Sequence, residues 1–504
     1  MNLATQWSLA ASHNPQKPAL FWGDASFTHA HLYHQSLWMA AALQRLGVQP
    51  GDRVGLWLKN CPEFVPALFG IFMANAVAVP INNFLKPEEV AFMLQDAGIR
   101  HLITDTSLAD PAKILAEKFP GLTVWLVEHL PTTPAEEQAI PPSPCQRTEQ
   151  DLAVLIYTSG TTGRPKGAML THGNLLHNIR SCQKMLESTL GDRFVLLLPM
   201  FHSFMLTVCV LLPLCTGASI VLIKSVHPAK NILMEILRHQ GTILPAVPSF
   251  FRLFAQAELP PQLPLRLCIS GGAALPVEIL REFNRKFPLP LLEGYGLSET
   301  SPVASLNPIR GPWKEGSIGV PIPDVEMSVQ DDQGRFLPPR EIGEICIRGG
   351  NVMAGYWNQP EATAAVMRNG WFLTGDVGYR DEDGYFYITD RKKDMLIVNG
   401  INVYPREIEE LIYQYPGIRE AAVIGIPDAR RGEQPVAYVS LTDGATLDEY
   451  ALLRYLRDRI AHYKVPRKVT VLPALPRNAT GKILKTDLRQ MALRSLSPPA
   501  AESA

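Results

Sequence analysis

The sequence predicts an α/β protein of two unequal domains. A large N-terminal domain of two layered α/β sheets, with a small β-barrel-like subdomain, precedes a small α+β C-terminal domain. Three observations lead there. The 504 residues exceed what a single hydrophobic core organises. Apolar runs alternate with helical patterns through the first part of the chain, as in layered α/β folds. The pattern then changes twice, once after Asn307 and again at a charged break, DRKKD, spanning Asp390–Asp394.

In chain order, DRVGLWLKN, ALFGIFMANAVAVPI, RHLITD, VWLVE, AVLIYTS, FVLLLPM, SIVLI and LRLCISGG read as buried strands. Near-continuous apolar strands separated by helices indicate parallel sheets covered on both faces. Beyond Asn307, PDVEMSVQDDQGRFLPP, GEICIRGG and GYFYITD alternate in the manner of antiparallel hairpins. The break at 390–394 divides residues 1–390 from residues 391–504. After it come a strand (MLIVNG), a helix (PREIEELIYQY), two strands (EAAVIGI, PVAYVSL) and a helix (LDEYALLRYLRDRI).

Composition narrows the function classes. Hydrophobic residues make up 46% and charged residues 19%, which describes a packed globular protein. Lys and Arg number 47 against 48 Asp and Glu, so no electrostatic case exists for nucleic acid. The seven cysteines are scattered without a CxxC pair and read as free thiols in a reducing cytoplasm. The first residues, MNLATQWSLAASHNPQKP, lack the basic start and apolar centre of a signal peptide. The apolar run from Phe194 to Ile223 is cut by Pro199, His202, Pro213 and Gly217. It therefore reads as strand, short helix and strand, and no transmembrane segment is expected.

YTSGTTGRPKG, Tyr157–Gly167, follows a buried strand directly. Its closely spaced Gly, Ser and Thr residues make a loop whose backbone N–H groups converge on phosphate oxygens. Thr158, Ser159, Thr161 and Thr162 add hydroxyls, Gly160 and Gly163 allow the close approach, and Lys166 adds a cation. The spacing is not that of a Walker A loop, since Gly167 stands where a magnesium-holding Ser or Thr is needed.

This segment resembles the signature of the adenylate-forming superfamily, which includes acyl-CoA synthetases, nonribosomal adenylation domains and luciferases. Seven further motifs follow in order: PMFHSF, SGGAALP, EGYGLSET, GEICIRGG, LTGDVG, DRKKDMLIVNGINVYPREIE and PRNATGKILK. The resemblance covers essentially the whole chain. It implies ATP-dependent activation of a carboxylic acid as acyl-AMP, with release of pyrophosphate and transfer to coenzyme A. It further implies that Glu299 and Thr158 hold Mg²⁺ and that Asp376 takes the ribose hydroxyls beside Arg391 and Ile388. Gly271, Gly272 and Ala273, together with Glu293, Gly294, Tyr295, Gly296 and Ser298, would form the adenine side. Lys482 would bridge the attacking carboxylate and the α-phosphate. Lys393 would be the pivot of a mobile C-terminal domain whose Gly400 region lines a thiol tunnel after rotation.

Amino-acid-activating relatives carry Asp after the aromatic residue of PMFHSF, where His202 stands here. An α-amino acid is thereby disfavoured, and His202 is expected in the acid pocket beside Phe204, Met205, Val208, Leu211 and Leu212. The motifs most resemble bacterial medium- and long-chain fatty acyl-CoA synthetases. Alternatives are an aryl- or other carboxylate–CoA ligase and a fatty acyl-AMP ligase loading a carrier protein. A non-enzymatic binding protein is opposed by Glu299, Asp376 and Lys482. The resemblance also allows a homodimer and peripheral membrane contact.

Overall fold

The computed structural model describes residues 1–130, 145–158, 165–228, 230–257, 262–428, 430–478 and 481–496. The expected α/β order is laid out in four sheets. The first has nine strands. Its parallel inner strands run, in spatial order, Pro18–Trp22, Ser219–Leu222, Arg193–Leu196, Ile243–Ala246, Leu267–Ser270 and Leu291–Gly296. The second has six strands, from Thr123–Leu126 through His101–Thr104, Arg53–Trp57, Val77–Pro80 and Leu152–Thr158 to Lys166–Thr171. Only its last pair is antiparallel.

Strand periodicity sorts the side chains into layers. Phe194, Leu196, Ile220 and Leu222 of the first sheet, and Val54, Leu56, Val154 and Ile156 of the second, share one core. The helices Leu3–His13, His29–Arg45, Phe64–Met73 and His172–Met185 fill the space between the sheets. The alternate residues face outward. Val195, Val221 and Leu244 meet the helices Pro248–Gln256 and Val277–Lys286, and Val77, Val79 and Leu155 meet Pro87–Ala97.

One sequence expectation is corrected. ALFGIFMANAVAVPI is not a single strand segment: Phe64–Met73 is a helix and only Val77–Pro80 is a strand. Every residue of that helix is buried, so its pattern is apolar all round and no periodicity separates it from a buried strand. Gly70 lets it approach its neighbour closely, since a Cβ there would lie 2.4 Å from Met39 Cγ. The run from Phe194 to Ile223 follows expectation, with strands Arg193–Leu196 and Ser219–Leu222 around a helical segment. The middle of that segment, Leu206–Leu211, is a π-helix. Among the described residues no helix is long and apolar enough to cross a membrane.

A five-stranded antiparallel sheet follows, built around Gly343–Gly349 and the long strand Trp371–Arg380. The last sheet pairs Ile418–Asp428 with Gly432–Leu441 and carries the helices Pro405–Tyr413 and Glu449–Arg457 on a core of its own.

Strands of both large sheets end towards one cleft. Thr158, the loop after Leu196, Gly271 after Ser270, and the turn after Gly296 all meet there. Ligands of α/β folds bind at such carboxyl ends. The turn after Gly296 depends on that glycine, because a Cβ would lie 1.8 Å from the Pro302 carbonyl oxygen. Gly296→Ala is expected to displace the turn and to destabilise the chain by about 3 kcal/mol, read from the midpoint of urea unfolding.

Candidate functional site

The cleft is a cavity of about 1020 Å³ lined by residues from every part of the chain. Thr158 and Lys166 stand opposite each other where the strands Leu152–Thr158 and Lys166–Thr171 pair. That pairing brings the two ends of the expected phosphate loop together. Ser159, Gly160, Thr161, Thr162 and Gly163 lie outside the described residues, whereas Thr158 and Lys166 line the cavity.

Glu299 sits in the short 3₁₀ turn Ser298–Thr300. Its Oε1 is 3.5 Å from Thr158 Oγ1 and accepts a hydrogen bond from the Tyr356 hydroxyl at 2.9 Å. Ser298 Oγ is hydrogen-bonded to Ser203 Oγ at 3.0 Å, which ties this turn to the segment after His202. Among the described residues no cluster of three or more His, Cys, Asp or Glu offers a complete metal cage. Two oxygen donors on a cavity wall suit a small hard cation that draws its other ligands from phosphate and water.

Asp376 lies below the cavity floor, 2% exposed. The Tyr295 hydroxyl donates to its Oδ2 at 2.5 Å and Arg391 Nε approaches its Oδ1 at 2.9 Å. The sheet sets this up, since Asp376 and Arg391 are register partners. Burial, then the Asp376 charge, holds the Tyr295 phenol well above its usual range, so it remains a donor. Gly271, Gly272, Gly294, Tyr295 and Gly296 line the cavity.

Not every expected residue faces it. Ala273 is not part of the cavity wall. Glu293 turns away and accepts from Leu275 N at 2.9 Å, tying down the loop after Ser270. Burial raises its carboxyl to about 7, with Arg406 pulling the other way. Ile388 contributes its carbonyl to Arg406 Nη1 at 3.1 Å and is also absent from the wall. Gly400, at φ +77°, lies in the exposed hairpin between Leu396–Val398 and Ile401–Val403, away from the cavity.

Lys482 reaches the cavity from the far end of the chain. A two-residue bridge holds its segment: Lys482 N donates to Asn478 Oδ1 and Asn478 N to Lys482 O, each at 2.9 Å. A Cβ at Gly481 would lie 3.5 Å from Val247 Cγ2, so the segment passes close to the start of the helix Pro248–Gln256. Lys482 is open to the solvent of the cavity but walled by protein on its other sides. Lost hydration, then the Arg391 charge, lowers its ammonium to about 8 against an opposing pull from Asp376. Lys393, of the DRKKD turn, also lines the cavity. Across the junction, Arg252 Nη2 donates to Ile418 O at 3.1 Å and Val277 N to Glu410 Oε2 at 3.4 Å.

His202 caps the helical segment that follows it, its Nδ1 accepting from Phe204 N at 3.3 Å. Burial, then the Lys482 charge, pushes it down to about 4, so the imidazole is neutral at pH 7. Apolar side chains make up one branch of the cavity lining. Phe204 and Val208 line that branch as expected, while Met205, Leu211 and Leu212 belong to the core. Sequence reasoning missed Cys182, Met185, Leu186 and Ile322, which close the branch, and it missed Tyr356. No motif spacing marks them; each joins the site only through packing.

The arrangement places the strand pair with Thr158 and Lys166, the Glu299–Thr158 carboxylate–hydroxyl pair, a buried Asp–Arg–Tyr group and Lys482 around one space. Such a set stabilises charge gathered at a phosphorus centre. The comparisons with known proteins agree. Residues 7–357 match the family model described as AMP-binding enzyme, and residues 407–482 match that of the AMP-binding enzyme C-terminal domain. A long-chain-fatty-acid–CoA ligase of Bacillus subtilis is 38% identical over 95% of this chain and 92% of its own. A feruloyl-CoA synthase of an Amycolatopsis species is 36% identical over 95% of this chain and 97% of its own. Among solved structures, o-succinylbenzoate CoA synthetase (MenE) from Bacillus subtilis is 32% identical. Its complex with the acyl-adenylate intermediate aligns at TM-score 0.86 over 96% of this chain and 97% of that one. Its complex with ATP and magnesium aligns at TM-score 0.86 over 96% and 98%. With both family models matched in order across a site of this composition, the chain belongs to the AMP-binding enzyme family.

Proposed function

We propose that this enzyme, an ATP-dependent acid–CoA ligase of the AMP-forming kind, takes a medium- or long-chain fatty acid. The observation that carries the acid class is the apolar branch behind neutral His202, closed by Cys182, Met185, Leu186, Val208, Leu306 and Ile322. A hydrocarbon tail is favoured there by burial alone, at about 25 cal/mol per Å². A neutral imidazole offers no counter-charge to an α-ammonium group. The similarity to a long-chain-fatty-acid–CoA ligase supports the same acid, and the similarity to a feruloyl-CoA synthase supports an aryl acid as the second reading.

In the first half-reaction a carboxylate oxygen attacks the α-phosphorus of ATP, and the bond to pyrophosphate breaks. Lys482, beside Asp376, Arg391 and His202, meets the charge gathered between carboxylate and α-phosphate. Thr158 and Lys166, with the loop between them, take the outer phosphates. Asp376 accepts from the ribose hydroxyls, because a carboxylate oxygen holding one donor has room for another. Tyr295 and the glycines Gly271, Gly272, Gly294 and Gly296 take the adenine. Glu299 and Thr158 would hold Mg²⁺, which when bound neutralises charge on the departing pyrophosphate.

In the second half-reaction the thiol sulfur of coenzyme A attacks the acyl carbon, the thiol proton is lost, and AMP leaves. We assign the hinge to 390–394, pivoting at Lys393, with 1–390 and 391–504 as the moving units. The support is placement: Lys482 is inside the cavity and the Gly400 hairpin outside it. Rotation would break polar links at the junction such as that of Arg252 to Ile418. Free thiols with no disulfide among the described residues support a cytoplasmic setting.

Lys482→Ala is expected to lower ATP–pyrophosphate exchange at least about 100-fold while a supplied acyl-adenylate still forms the CoA thioester; full exchange removes Lys482 from this role. Lys482 is cationic below pH 8 and neutral above it. ATP affinity should therefore fall as pH rises through 8, by up to about tenfold per pH unit, and Lys482→Arg should abolish this fall; calorimetry at pH 7 and 9 reads both. Cys182→Trp should fill the branch and abolish turnover of palmitate while octanoate or an aryl acid still reacts, and unchanged use of palmitate would place the tail elsewhere.

A further inference from the structure

Tyr356 belongs to none of the signatures that point to the site, yet it touches both of its charged ends. The segment from Met353 to Trp357 is laid between the strand leaving the phosphate loop and the turn that carries Glu299. Met353 N donates to Glu299 O at 2.8 Å, Ala354 N to Met169 O at 2.9 Å, and Trp357 N to Gly167 O at 2.7 Å. Met169 N returns a bond to Gly355 O at 2.9 Å, and Ala168 faces Tyr356 as an antiparallel bridge. Tyr356 N is itself held by Thr363 Oγ1 at 2.8 Å. The backbone that presents this side chain is therefore pinned on two sides.

The side chain lines the cavity. Its hydroxyl donates to Glu299 Oε1 at 2.9 Å, the oxygen that also faces Thr158 Oγ1. Lys166 Nζ lies over the face of the ring, 5.2 Å from its centroid. A carboxylate and an ammonium on one cavity wall attract each other, and a direct pair would withdraw both from the triphosphate and its cation. The phenol answers each with a neutral group. The hydroxyl binds the carboxylate without cancelling its charge, and the ring attracts the ammonium without a counter-charge. Burial, then the Glu299 charge, holds the phenol far above its usual range, so it stays a donor at any working pH.

We propose that Tyr356 is a positioning residue of the phosphate site: its hydroxyl aims Glu299 at Thr158 and its ring holds Lys166 off that carboxylate, so that magnesium and phosphate meet separated charges. The proposal rests on Glu299 being the magnesium-holding residue. The full chain would be compared as wild type, Tyr356→Phe, Tyr356→Leu and Glu299→Gln. Calorimetric ATP titrations over a series of free Mg²⁺ concentrations would be paired with AMP titrations and thermal unfolding. Tyr356→Phe is expected to need five- to tenfold more free Mg²⁺ for half-maximal enhancement of ATP binding, with AMP affinity and unfolding temperature near wild type. Tyr356→Leu should add a loss of ATP affinity in the absence of Mg²⁺, because Lys166 loses the ring. A wild-type Mg²⁺ response in Tyr356→Phe overturns the proposal, as does a parallel fall in AMP affinity and unfolding temperature. Glu299→Gln separates the two ideas. If it keeps the wild-type Mg²⁺ response, the magnesium role of Glu299 fails; if it loses that response while Tyr356→Phe keeps it, only the role of Tyr356 fails.

Discussion

Opposite charges have to share one cavity without collapsing onto each other, and the structure is organised around that constraint. Lys166, Arg391 and Lys482 line a single space with Glu299, and Asp376 lies below its floor, paired with Arg391. In a medium of lower dielectric than water their mutual attraction is strong. The site therefore keeps its charges apart with neutral partners where it can. A phenol and a threonine face Glu299, and another phenol shares Asp376 with Arg391. Charges held in place beforehand need little reorganisation to meet added negative charge.

The layering makes this convergence possible. Two parallel sheets packed on a common helical layer direct two sets of strand ends towards the same cleft. Thr158 and Lys166 come from one sheet, and Gly294, Gly296 and Glu299 come from the end of a strand of the other. The third sheet adds Asp376, and its register places Arg391 opposite. Lys482 is delivered by the last part of the chain, with Asn478 and Leu484 of the same segment. Its segment is held by backbone bonds of its own and meets the rest at Val247.

The same packing shapes the acid pocket. Neutral His202 lines the cavity, and the π-helical turn that follows brings Val208 to it while its neighbours fill the core. The helix His172–Met185 closes the branch with Cys182 and Met185. Ordinary apolar residues thus line part of the cavity.

The alternation of apolar runs was enough to read the layered α/β class, the change to antiparallel strands and the α+β end of the chain, because strand and helix periods are local properties. Tyr157–Gly167 could be read for the same reason as a run of consecutive donors, and Thr158 and Lys166 near its ends are paired across two strands. Phe64–Met73 was not legible as a helix, since burial on every side erases the period that would reveal it. Glu293 could be read only as part of a motif; its turn towards Leu275 is a fact of packing. Tyr356, Cys182 and Ile322 carry no local sign at all. The sequence by itself determined which groups are available and in what order. The tertiary structure alone decided which of them share the cavity, because neutral partners and pocket walls are drawn from residues far apart in the chain that meet only once the layers have packed.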